Sequence, residues 1–248
     1  MGEGNKMFGK LIKYDLKSMA KTMIPLWISV LILGGVFSIQ IFIKRPDVFN
    51  IFIVILFALF TAIFVMNVIF VIQRFWHGLL KEEGYLMFTL PVSERMLIIS
   101  KAVSALMISI GSMVVYLLVA YMIVRGAVGS DWNEMVNRMM QEFEPEISVM
   151  VQWGAYGIAL SILELLATIY HAYAAMAIGH LSNRYALPCA FVAYIGLSMV
   201  MGFATSWIDY FSMEYPVEGM ILLLITVCEI LVYHIVTEVI LTKKLNLE

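Results

Sequence analysis

Charge is what this sequence has least of. Only 14% of its 248 residues are Asp, Glu, Lys or Arg and 62% are hydrophobic, with a mean hydropathy of +0.92. Soluble domains carry about a quarter charged residues, so this composition excludes an ordinary water-soluble chain and places the whole of it in the membrane class. Cysteine is nearly absent. Cys189 and Cys228 both lie inside apolar runs, without the further ligands that a disulfide framework or a metal pair would need, and read as small hydrophobes. No Gly/Ser linker, low-complexity tract or internal repeat divides the sequence, so residues 1–248 read as one membrane domain.

Catalytic and nucleotide motifs are missing too. Gly4 to Lys10 fits the letters of a phosphate-binding loop, but Leu11 stands where a hydroxyl should hold magnesium and no strand precedes it. Glu82-Glu83 resembles the paired glutamates of membrane-embedded prenyl-endopeptidase-like metalloproteases. That pattern wants an arginine where this chain has Met87, and His171 and His180 lack the histidine spacing. No H-E-x-x-H occurs and no Ser/His/Asp set converges, so no catalytic residue and no metal ligand is assigned. The basic residues are juxtamembrane, which suits lipid contact and orientation rather than nucleic acid.

What is present is long apolar runs. A hydrocarbon core of about 30 Å takes roughly 20 apolar residues of helix. Six stretches qualify, at about 22–43, 51–73, 97–124, 147–179, 187–207 and 217–241. The fourth is longer than one crossing requires and is expected to begin with a turn or two on the membrane surface. The lysines ahead of the first make it a retained span rather than a signal peptide. The fold class expected is all-α and polytopic, with six transmembrane helices. With a cytoplasmic N-terminus, Lys6, Lys10, Lys13, Lys17, Lys21, Arg74, Lys81, Arg95, Lys101, Arg184, Lys243 and Lys244 fall inside. Only Lys44, Arg45, Arg125 and Arg138 fall outside. That bias puts both termini in the cytoplasm.

Two further segments have helical period. In residues 7–21, Phe8, Leu11, Ile12, Leu16 and Met19 form one stripe and lysines hold the other side, the pattern of an interfacial amphipathic helix. In residues 131–143, Trp132, Met135, Val136, Met139 and Phe143 recur on one face, which predicts a surface helix.

Between the second and third runs lies a connection, 74–96, whose middle is apolar although it ought to face water. An apolar patch of this kind marks an interface, with Tyr85, Leu86, Met87 and Phe88 as residue types that anchor one, or else an amphipathic hairpin that folds back into the headgroup region without a partner. Glu82 and Glu83 suit the start of a short helix, and Pro91 its end. The run Glu82, Glu83, Gly84, Tyr85, Leu86, Phe88, Thr89, Leu90, Pro91, Val92, Ser93, closed by Lys101, resembles the loop between spans two and three of ABC-2 type exporter permeases. Arg95 stands one place later than the usual basic residue. The lysine-rich FGKLIKYDLKSM and Ile178 to Leu187 add to the likeness. The resemblance implies that residues 82–91 form a coupling helix docking on a separate ABC ATPase subunit, which would carry ATP and magnesium. A second permease copy, or a related permease, would complete the transporter, and this chain would hold no cofactor of its own.

Glu164, His171 and Glu229 lie inside apolar runs. Carboxylates at such depth are costly, so they are expected to face the protein interior or a wet cavity. Glu164 and His171, seven residues apart, fall on one helical face. They are expected either to line a translocation path with Glu229 or to fix helix packing. Small residues at Gly34, Gly35, Gly154, Gly157, Ala172, Ala175 and Gly179 permit close helix contacts. The function expected is the permease subunit of an exporter for an amphipathic or apolar substrate such as a peptide antibiotic, drug or lipid. An intramembrane metalloprotease-like enzyme and a non-transporting anchor or sensor are the alternatives.

Overall fold

The computed structural model describes residues 2–43, 49–80, 93–143, 147–182, 184–210 and 217–243, and every regular element among them is a helix. In chain order they are α1 (Gly2–Phe42), α2 (Phe49–Phe75) with a π-helical turn (Trp76–Leu80), and α3 (Glu94–Val128). A 3₁₀ turn (Gly129–Asp131) then leads to α4 (Trp132–Phe143), α5 (Ile147–Gly179), α6 (Ala186–Tyr210) and α7 (Val217–Lys243). Six helical segments are long and apolar enough to cross a membrane: Met7–Phe42, Asn50–Leu80, Glu94–Gln141, Gly154–Gly179, Ala186–Ser206 and Gly219–Lys243. Each contains or overlaps one of the six apolar runs. Large apolar side chains such as Phe57, Phe64, Phe191, Met199 and Phe203 stand exposed along them, which suits lipid and not water. This is the layout of a multi-pass membrane protein.

The amphipathic segment 7–21 and the first span belong to one continuous helix, α1. Residues 18–24 contain no glycine or proline to interrupt it. Pro25 forgoes a single backbone bond, that to the carbonyl four residues back, while its own carbonyl accepts from Ser29 Oγ at 2.8 Å. The amphipathic pattern itself holds: Lys10, Lys13, Lys17 and Lys21 are exposed, while Leu11, Ile12 and Leu16 are half-buried and Met19 is buried. Similarly, α5 runs unbroken from Ile147.

A helix forms where that stripe predicts one, as α4. Trp132, Met135 and Val136 are half-buried, whereas Met139 is exposed. Trp132 meets the Tyr121 ring edge-on, and the Arg125 guanidinium lies 5.4 Å from its ring centre. Gly129, at φ 65°, makes the turn out of α3, a conformation that favours glycine.

The chain packs as two compact units. One comprises residues 16–68 and 107–159, with Val30, Leu56, Ile63, Val115 and Val119 at its core. Here helices are joined by hydrogen bonds that lipid cannot supply. Ser112 Oγ accepts from Trp27 Nε1 at 3.1 Å and from Asn67 Nδ2 at 2.9 Å, and donates to the Ile108 carbonyl at 3.0 Å. Tyr116 OH donates to the Phe60 carbonyl at 3.1 Å. Interhelical bonds in membranes are worth about 0.6–2 kcal/mol. Ser112→Ala, which strands two donors, is expected to cost about 1–2 kcal/mol, measured as an earlier midpoint when the protein is unfolded by titrating in SDS.

The other unit comprises residues 1–15, 69–106 and 160–248. Its core gathers Phe75, Trp76, Leu79 and Leu80 from the end of α2 and the π turn, Leu97 and Ile98 from α3, Tyr170 and Tyr173 from α5, and Tyr233 from α7. Phe75 stacks on Tyr173 with ring centres 4.2 Å apart. The π turn buries Trp76, Gly78, Leu79 and Leu80 together, because its extra residue widens the inward-facing arc.

Candidate functional site

Of the three intramembrane residues singled out from the sequence, two come together. His171 on α5 is buried, and its Nδ1 lies 3.7 Å from Glu229 Oε1 on α7. On its other side, Nε2 lies 3.1 Å from the Tyr194 carbonyl and 3.2 Å from Ser198 Oγ on α6. Ser198 Oγ already donates to that carbonyl at 2.8 Å. Nε2 therefore carries hydrogen and donates, and Nδ1 is the atom that meets the carboxylate. The rings of Tyr194 and Tyr233 close on the imidazole edge-on, with centres 4.5 and 5.0 Å away. The result ties α5, α6 and α7 through one polar group at membrane depth.

Glu164 does not join them. It shares a helical face with His171, but burial stops short of it: Ala167 is buried and Glu164 is exposed. Register places two residues on a face; only the neighbouring helices decide how far along that face cover extends. The small-residue positions divide in the same way. Gly179 abuts the backbone of Ala190 on α6, and Gly34 abuts Val119, whereas nothing stands within 4 Å of a side chain begun at Gly35 or Gly154.

A second charged cluster lies where α2 ends and α3 begins. Lys101 is buried, and its Nζ donates to both carboxylate oxygens of Asp15 on α1, at 2.8 and 3.1 Å. Arg74 reaches the same carboxylate at 3.4 Å. At the start of α3, Arg95 pairs with Glu238 of α7, and Glu238 also lies 3.8 Å from His234 Nε2. Sequence reasoning treated Arg74 and Lys101 as orientation signals and passed over Asp15. The signal was there: Asp15 is the one acid between Phe8 and Lys21, and it falls on the apolar stripe, four residues from both Leu11 and Met19.

The residues expected to couple to an ATPase, Glu82, Glu83, Gly84, Tyr85, Leu86, Met87, Phe88, Thr89, Leu90 and Pro91, lie outside the described residues. Both of their flanks are described. On one side the π turn is sunk in the core; on the other, Leu97, Ile98 and Lys101 are buried.

No family model, curated protein or solved structure matches this chain. Among the described residues no three His, Cys, Asp or Glu side chains are grouped to hold a metal ion.

Proposed function

We propose that this chain is the permease subunit of an ATP-driven exporter of the ABC-2 type, without catalytic activity of its own. It would move an amphipathic or apolar substrate across the cytoplasmic membrane. The observation that carries this reading is the sequence from Glu82 to Lys101, an apolar stretch between two membrane-length runs that resembles the coupling loop of such permeases.

The packing around that run supports it. A loop that receives a push from an ATPase must be fastened to the helices it moves. The π turn enters the loop from a buried position, Lys101 ties α3 to α1 through Asp15, and Arg95 ties α3 to α7. Displacement of residues 81–92 would thus bear on α1, α2, α3 and α7 together rather than being absorbed in slack. His171 and Glu229, which bind α5 to α6 and α7, are the polar groups that such a movement would rearrange, and with Glu164 they are the residues assigned to the path. In this reading the N-terminal lysines face the cytoplasm and lie along anionic headgroups, and two permeases pair with two ATPases that hold ATP and magnesium.

Tyr85→Ser combined with Phe88→Ser is the decisive variant. Wild-type chain, affinity-purified from its native membrane in mild detergent, should retain an ATP-binding-cassette subunit in stoichiometric amount, and the variant should lose it while remaining monodisperse. A folded wild-type chain that brings down no ATPase would overturn the proposal, and metal-dependent proteolysis by the chain alone would favour an intramembrane enzyme.

A further inference from the structure

Next to the Asp15 cluster is a cavity of 330 Å³ whose described lining consists of Gln73, Arg74, His77, Gly78 and Lys101. Each polar side chain among these carries an N–H donor, and none is apolar. Asp15 engages both cations but offsets only one, so the three formal charges sum to +1. The carboxylate spends both oxygens on Lys101 and meets Arg74 through a single nitrogen, leaving most of a five-donor guanidinium unclaimed by it. Gly78 keeps the ammonium within reach: a Cβ there would stand 3.3 Å from Lys101 Cε and 3.5 Å from Nζ.

We propose that this cavity binds a phosphate group, held between the Arg74 guanidinium and the Lys101 ammonium with Gln73 and His77 as further donors. An excess cation in a partly enclosed site calls for an anion, and a planar fork beside a point charge suits a tetrahedral oxyanion. Depth favours phosphate over other anions. Arg74 directly follows the apolar run 51–73 and Lys101 lies in the first turns of the run 97–124, near where a bilayer keeps its phosphates and where basic pockets between membrane helices take headgroups. The same chemistry is offered by a phospholipid and by free phosphate. The site does not depend on the exporter reading and would stand if no ATPase partner were found.

The test uses the full chain, delipidated in a neutral detergent, with three probes: phosphatidylglycerol, diacylglycerol (the same tails without phosphate) and inorganic phosphate. Native mass spectrometry counts retained lipid, and thermal unfolding reads phosphate. Wild-type chain should hold one phosphatidylglycerol in preference to diacylglycerol, or be stabilised by inorganic phosphate; the first result assigns a lipid headgroup and the second a free anion. Arg74→Gln should weaken binding about tenfold or more, as loss of a charge-assisted hydrogen bond does. Gln73 is exposed and outside the core, so Gln73→Glu changes the cavity's charge without touching packing. It should abolish binding, while Gln73→Lys should preserve or strengthen it. Failure of wild-type chain to prefer any phosphate-bearing probe would overturn the proposal. So would a Gln73→Glu chain that binds as wild type does.

Discussion

Lys101→Met is expected to strip the protein of a large part of its stability. The side chains of Lys101 and Asp15 are only 3% and 8% exposed, so truncating the lysine leaves a carboxylate sealed among apolar helices, with Arg74 at 3.4 Å as its one remaining ion-pair contact among the described residues. Breaking a buried pair from one side costs about 3–5 kcal/mol, a large part of the ~5–15 kcal/mol that holds a domain together. The measurement is the fraction surviving as a monodisperse peak after heating in detergent. Removing both partners should cost far less than removing one, since well-packed apolar replacements of a buried pair are often neutral. Asp15→Leu combined with Lys101→Met is therefore expected to recover most of the loss, short of whatever Arg74 forfeits. A single variant as heat-resistant as wild type would show that the lysine and aspartate are not joined in the membrane.

Gly179→Ala, one added methyl, is the second severe change. The new Cβ would fall 2.5 Å from both the Cα and the Cβ of Ala190, and backbone cannot swing aside as a side-chain tip can. Overpacking of this sort costs about 1–3 kcal/mol. Gly35→Ala is the matched control: nothing lies within 4 Å of its new methyl, and alanine is the better helix former by about 1 kcal/mol. The two substitutions are chemically identical and should move the unfolding midpoint in opposite directions. Equal shifts would mean that α5 and α6 do not approach as closely as Gly179 and Ala190 require.

How much of this was legible beforehand follows from what each feature depends on. The six membrane-length helices could be read from the sequence because hydrophobic run length is a local property, and the same is true of α4, whose stripe needs only twelve residues to show itself. Helix continuity was harder. A change from amphipathic to uniformly apolar composition near Lys21 looks like a boundary, yet the backbone needs a breaker to bend, and residues 18–24 hold none. Pairing was not legible at all. That Glu229 meets His171, and that Glu164 does not, turns on which helices are neighbours and how far each covers the next. Asp15 shows a different blindness: within a lysine-rich segment an acid reads as one more solvated charge, and only its place on the apolar stripe marks it as buried.

Glu164 has one more consequence. An ionised carboxylate presented to hydrocarbon costs at least ~2.5 kcal/mol, by the mildest scale, and that sum is recovered only if something other than acyl chains meets it. An exposed carboxylate of this kind suits a facing polypeptide or a water-filled crevice better than acyl chains, which makes the Glu164 flank of α5 the place to look for a companion surface.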